Sequence, residues 1–203
     1  MRCFLARPIG ILCSSWPFLL ACQDHHVGRQ GSARTTTGSL DGLPLQEVLD
    51  SLGIPADSIR FEVDKSDRRF FVLAGDRAVR DYPCVLGTVP DGDKMQEGDR
   101  RTPEGNFLFR DKYPHAKWHK FIWIDYPNAE SRERFQRRKE EGLLPASATI
   151  GGEVGIHGTP EGMDHWIMEG TDWTWGCIAL RNADLDEVYP VIRPRWTRLD
   201  IRP

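Results

Sequence analysis

No stretch of the 203-residue chain is continuously apolar over the roughly 20 residues that a membrane-crossing helix needs. The nearest candidate, Ile9 to Leu20, is interrupted by Ser14, Ser15 and Pro17. A basic excess is missing as well. With 27 Lys and Arg against 30 Asp and Glu, the formal charge is −3, so the chain lacks the electrostatic footprint of a nucleic-acid binder. Nucleic acid is therefore set aside as a partner. No internal repeat or long low-complexity tract occurs, which excludes solenoids and propellers. Cysteine is scarce: of five, Cys3, Cys13 and Cys22 fall within the first 22 residues, leaving only Cys84 and Cys177 in the body. Those two could form a disulfide, or one could be a packed core thiol and the other a free catalytic one. What the chain does have is glycine (19) and proline (14), enough to predict many turns and a strand-rich architecture. Its length suits one domain with a real core plus a tail.

Residues 1–22, "MRCFLARPIGILCSSWPFLLAC", place Arg2 and Arg7 before a mostly apolar stretch and small Ala21, the outline of a secretory signal. "LLAC" also resembles the bacterial lipoprotein cleavage box, which would make Cys22 the lipidated N-terminus and anchor an exported, periplasmic protein to a membrane. An ordinary signal peptide is the alternative. Residues 23–41 are polar and rich in Gly, Ser and Thr, which reads as a flexible linker. Residues 42–56 form a short helical lead-in, with Leu45, Val48, Leu49 and Leu52 at helical spacing before Gly53.

From residue 57 to 203 short strand patterns alternate with turn residues. Ile59, Phe61 and Val63 alternate with polar positions, and "RFFVLAG", "YPCVLG", "NFLF", "KFIWID", "EVGIHG", "CIAL" and "TRLDI" follow. Helical pattern is confined to "AESRERFQRRKEEG", a solvated helix or a lid, and to "NADLDEVYPVI", with Asn182 or Asp184 as its cap. The expected fold class is mainly β, a β-rich α+β domain with a few short helices.

The chemistry concentrates in "GIHGT" and "DWTWGCIALRNADL". A cysteine serves in acyl transfer when a histidine takes its proton, a third group holds the imidazole, and N–H groups face the forming oxyanion. Cys177 is the candidate nucleophile and His157, at the end of a predicted strand, the candidate base. The N–H groups of Gly176 and Cys177 are the candidate oxyanion hole. His115 and His119 stand four apart and would form a metal pair on a helix, yet no third ligand is evident nearby, so no metal is expected. "PDGDKMQEGD" lacks the spacing of a calcium loop and reads as a mobile surface loop.

These motifs resemble the L,D-transpeptidase catalytic domain, the YkuD-like family, marked by HG followed by [ST]-H-G-C-[IV]-R. His157 and Gly158 match the first element; Thr174, Gly176, Cys177 and Ile178 match four positions of the second. "GDRRTPEGNF" looks like the family's TPxG segment, and the resemblance runs from about Ile59 to Ile201. It implies an L,D-transpeptidase-like β-sandwich or barrel. Two positions depart from the pattern: Trp175 replaces a histidine and Ala179 an arginine, for which Arg181 is a candidate substitute on the same strand face.

The resemblance further implies a peptidoglycan-modifying cysteine enzyme without a cofactor. Cys177 would attack the third stem-peptide residue, release D-alanine and form a thioester, with the Gly158 carbonyl holding the second imidazole nitrogen of His157. Its partners would be peptidoglycan stem peptides and a wall-attached lipoprotein as an acceptor. Trp166, Trp173, Thr174, Trp175, Arg181 and Asn182 are the candidate substrate-binding residues. Two alternatives stand beside transfer: hydrolysis of peptidoglycan or lipoprotein links as an L,D-endopeptidase or carboxypeptidase, and an inactive wall-binding module.

Overall fold

In a computed structural model, the described residues are 42–203. The leader, Cys22 and the whole linker lie outside them.

The fold is mostly β, with eight strands in one mixed sheet and, among the described residues, four short helices, of which the shortest, α3, is His165–Met168. The strands are β1 (Ile59–Asp64), β2 (Arg69–Ala74), β3 (Arg77–Pro83), β4 (Gly105–His115), β5 (His119–Ile124), β6 (Gly155–His157), β7 (Ile178–Ala179) and β8 (Arg198–Arg202). Their spatial order is β3-β2-β1-β8-β4-β5-β6-β7. Hairpins join β1 to β2 and β2 to β3, and β8 returns to lie parallel to β1. The β2–β3 turn uses Gly75 in the left-handed region, a conformation open to glycine at little cost.

Strand β4 joins the two halves of the sheet. Its first residues, Gly105 to Leu108, pair with β8, and its later ones, from Phe109 onward, pair with β5. The pairing register shifts between Phe109 and Asp111, the kind of irregularity that bends a strand. One half is therefore the hairpin sheet β3-β2-β1-β8, and the other, β4-β5-β6-β7, carries His157.

The alternation seen in "IRFEV" and "RFFVL" turns Phe61, Val63, Phe70 and Val72 inward, where all four are fully buried. Phe61 meets Phe70 at 5.2 Å between ring centres and Phe109 edge-on at 5.6 Å. Burying each such ring contributes about 2–3 kcal/mol. Helix α1 (Leu45–Ser51) adds Leu45, Val48 and Leu49 to the buried set, and α4 (Asn182–Val191) adds Leu185, Val188 and Val191.

One local expectation, the cap of α4, is corrected, and two conditional readings become specific. His115 and His119 are on the β4–β5 hairpin, paired directly across it, so they share no helix face. His119 Nε2 is engaged by Asp186 at 2.6 Å. Helix α4 has Arg181, rather than Asn182 or Asp184, at its N-cap position. Finally, the charged insert, α2 (Ala129–Glu140), braces a loop. Arg134 donates to the Glu104 carbonyl at 2.7 Å, and Arg138 donates to Asp93 at 2.7 Å and to the Lys94 carbonyl at 2.8 Å.

Candidate active site

Strands β6 and β7 are parallel neighbours, with Ile156 opposite Ile178 and His157 opposite Ala179. Cys177 immediately precedes β7, so strand alternation turns its side chain to the face that His157 shares. The two line a single cleft of about 610 Å³, together with Tyr113, Trp118, Phe121, Trp123, Trp173 and Trp175. Both cysteines of the described residues are free: Cys84 is buried and Cys177 is partly exposed. Burial pushes the Cys84 thiol up to about 12, which makes it unreactive.

His157 is held tightly. Its Nδ1 lies 2.7 Å from the Gly158 carbonyl oxygen; because a carbonyl only accepts, Nδ1 carries the proton and Nε2 is left as the free base. Trp118 stacks on the ring at 4.8 Å, Phe121 stacks at 5.7 Å, and Trp173 meets it edge-on at 5.4 Å. Burial in this aromatic box pushes the imidazole down to about 4, outweighing the Gly158 hydrogen bond, and the charge of His115 acts in the same direction as burial.

This burial makes folding pH-dependent. The unfolded chain binds the His157 proton near 6.5 and the folded chain near 4, so between those values the unfolded state holds more protons. Stability is complete above pH 6.5 and falls as pH drops toward 4, by about 3 kcal/mol from this one group. Urea unfolding at pH 7.5 and at pH 4.5 should show a smaller acid loss in His157→Gln than in the wild type. Equal losses in the two proteins would contradict this assignment.

The turn leading into Cys177 is shaped by Thr174. Its Oγ1 donates to the Cys177 carbonyl at 2.6 Å and accepts from the Gly176 N–H at 3.1 Å. The Gly176 N–H is therefore already committed, which corrects its place in the expected oxyanion hole. Gly176 has φ +126°, and a Cβ there would lie 2.7 Å from the Arg101 carbonyl oxygen, so only glycine fits. That carbonyl comes from the TPxG segment, whose buried Thr102 accepts from the Gly87 N–H at 3.1 Å. Asp172, just upstream, accepts from the Leu86 N–H at 2.7 Å and from the Arg68 guanidinium at 2.8 Å, pinning the start of the same turn.

Cys177 Sγ donates to the Glu153 carbonyl, 3.6 Å away. Burial pushes the thiol up to about 11. The Gly155 backbone and the positive charge of Lys94 offset part of that shift, and the Glu153 carboxylate adds to it. The resting pair is thus a neutral thiol beside a neutral imidazole.

Other candidate residues sit differently from expectation. Arg181 is not in the cleft: its guanidinium is paired with Asp184 by two hydrogen bonds of 2.6 Å, so it cannot stand in for the arginine replaced by Ala179. Ala179 itself is fully buried beside Val85 and Ile167. Asn182 works behind the site. It accepts from the Thr159 N–H at 3.0 Å and donates to the Thr159 carbonyl at 3.2 Å, fixing the chain just after Gly158. Trp166 packs on Trp173 at 5.4 Å, behind the cleft wall. Trp173, Thr174 and Trp175 do line the cleft; Trp175 is 77% exposed, with the Arg100 guanidinium 5.3 Å from its ring centre. Among the described residues no group of three or more His, Cys, Asp or Glu is placed to hold a metal ion.

The sequence profile of the YkuD L,D-transpeptidase catalytic domain matches residues 58–201. The chain belongs to that family. Comparison with curated proteins gave no match. Among solved structures, the helical cell shape determining protein Pgp2 (K307A mutant) of Campylobacter jejuni is similar in fold, with TM-score 0.51 and 21% identity over 78% of this chain and 54% of that one. Bd1075 of Bdellovibrio bacteriovorus gives 0.50 and 19%, over 71% and 48%. The C442S mutant of an Enterococcus faecium L,D-transpeptidase gives 0.44 and 17%, over 71% and 50%. The present chain thus spans about half the length of these proteins.

Membership of the family accounts for the mostly β fold and for the order of the TPxG, HG and GC elements. Several residues around the site carry no signal in the motifs. Tyr113, Trp118, Phe121 and Trp123 come from the β4–β5 hairpin, and Lys94 and Glu153 from loops. The aromatic density of "YPHAKWHKFIW" is the one trace of them in the sequence.

Proposed function

We propose that this L,D-transpeptidase-family protein is a cysteine acyltransferase that acts on the stem peptides of peptidoglycan. Cys177 Sγ attacks the carbonyl carbon of the third stem residue as its proton passes to His157 Nε2. The C–N bond to the terminal D-alanine then breaks, and the departing amine takes that proton, leaving a thioester on Cys177. An amine from a second stem or from a wall-attached lipoprotein attacks the thioester, expels the thiolate and yields a new amide, and the proton it releases returns to sulfur. The observation that supports this reading is one cleft lined both by a partly exposed thiol and by an imidazole whose Nδ1 is held by the Gly158 carbonyl, leaving the other nitrogen basic.

The leader-like first 22 residues support export to the compartment where peptidoglycan is built, and Cys22 is the residue at which a lipid would anchor the chain. No helix among the described residues is long and apolar enough to cross a membrane.

The test is incubation with a disaccharide-tetrapeptide and an excess of a different free D-amino acid, followed by chromatography and mass measurement. Transfer predicts exchange of the terminal D-alanine. Tripeptide as the only product would make the enzyme a carboxypeptidase, and unchanged substrate would overturn the reading.

A further inference from the structure

A second, smaller pocket of about 220 Å³ adjoins the aromatic cleft, sharing Glu153, Trp175 and Cys177 with it and lined also by Lys94, Glu97 and Arg100. Cys177 therefore lines both spaces. The charged side chains that line them with Cys177 are Lys94, Glu97, Arg100 and Glu153 in this pocket and Glu153 and Lys117 in the cleft, where the neutral His157 is the other titratable group. Of these, Lys94 is unusual: the residue is 6% exposed, and its Nζ lies 4.0 Å from where a Cβ on Gly176 would be.

Burying an ammonium costs several kcal/mol unless it is paired. The partner here is Asp99, whose Oδ1 accepts from Lys94 Nζ at 2.7 Å. The same carboxylate collects the N–H groups of Met95, Gln96 and Arg101. Burial alone would raise the Asp99 carboxyl, but these four donors bring it below the usual carboxylate range. Asp99 is thus a fixed anion, and the loop is built around it. Arg138 of α2 holds the Lys94 carbonyl from behind at 2.8 Å. An ammonium has three N–H groups, and Asp99 is its one hydrogen-bonded acceptor among the described residues. The remaining donors are available to the pocket that Lys94 shares with Cys177.

The other cations and donors of the region are engaged or absent: the Arg100 guanidinium lies over the Trp175 ring at 5.3 Å and the Lys117 ammonium over the Trp118 ring at 5.5 Å. The family's arginine position is a buried alanine, the Gly176 N–H is already bonded to Thr174, and the Arg181 guanidinium is bound to Asp184. We propose that Lys94 is the cation that offsets the negative charge arising on Cys177 Sγ and on the acyl oxygen during acyl transfer. As the S–H proton moves to His157 and the C–S bond forms, the carbonyl π pair moves onto oxygen. Lys94 keeps all three of its protons and faces that charge until the C–N bond breaks and the C=O bond is restored. With the resting imidazole neutral, no imidazolium can serve as the counter-ion of a thiolate in the free enzyme. The proposal rests on Cys177 as the nucleophile, but not on which peptide is acylated.

The test is alkylation of Cys177 by iodoacetamide, located by peptide mapping in the full chain and followed between pH 7 and 10. Lys94→Met should alkylate about tenfold more slowly than the wild type across that range, the change expected when a thiol titrates one pH unit higher. Lys94→Arg, which keeps the charge, should stay within about twofold. A loop held merely by the Lys94–Asp99 contact would not make the rate follow charge in this way. If Lys94→Met fails to fold, Lys94→Gln is the neutral variant that still bonds Asp99, and the same slowing is expected. Alkylation of the neutral variant at the wild-type rate would overturn the role of Lys94. An unreactive Cys177 in the wild type would remove the nucleophile itself and this inference with it.

Discussion

Replacing His157 with glutamine is expected to slow acylation of Cys177 by about 1,000-fold, within the range that a positioned general base supplies. Glutamine can still donate to the Gly158 carbonyl, but it offers no basic nitrogen to the sulfur. Without that base the thiol must ionise on its own, and with burial holding it near 11 only about one molecule in 10,000 is a thiolate at pH 7. The pH profile distinguishes this mechanism from a preformed ion pair. A neutral imidazole that titrates near 4 keeps its lone pair through the whole range above pH 5, so the acid limb of kcat/KM should fall near 4 to 5. An acid limb near 6.5 or above would mean that His157 is far less buried in solution than in this structure.

Gly176→Ala is expected to cost about 3 kcal/mol of folding stability and to slow turnover at least about 100-fold. Two separate effects add. The residue sits at φ +126°, where a side chain is strained by about 1–3 kcal/mol, and its Cβ would press to 2.7 Å from the Arg101 carbonyl oxygen. Backbone on both sides must then move, taking with it the Cys177 amide and the adjoining turn set by Thr174. A displacement of about 1 Å in a catalytic group is enough for a loss of this order. Thermal unfolding and steady-state rates on the same sample check both parts. A variant that melts with the wild type and turns over at the wild-type rate would contradict the close approach of the two loops.

How far the sequence could be read depended on whether an element's partners lie close along the chain. Strands such as Ile59–Asp64 and Arg69–Ala74 announce themselves by alternation because each meets the core on one face. Helix α2 was legible as a helix from its charges. Its role was not, because that depends on Asp93 and Lys94, some 45 positions upstream. The same holds for "PDGDKMQEGD". As a sequence it is an acidic, glycine-rich loop, and nothing in its spacing says that Asp99 gathers three amides or that Lys94 is buried beside a cysteine 83 positions away. His157 and Cys177 were legible through the motifs that surround them. Arg181 misled because strand alternation was carried past the end of β7, where the chain has already begun to enter α4.

The central claim is that the sulfur at position 177 attacks an acyl carbonyl with help from the imidazole at position 157. Intact-mass measurement after incubation with a carbapenem tests it most directly, because a strained lactam acylates a competent thiol without any need for the natural donor or acceptor. The account predicts one covalent adduct on the wild type, mapped to the peptide that contains Cys177, none on Cys177→Ala, and a much slower one on His157→Gln. A wild type that gains no mass, or a Cys177→Ala variant that gains the same mass, would contradict it.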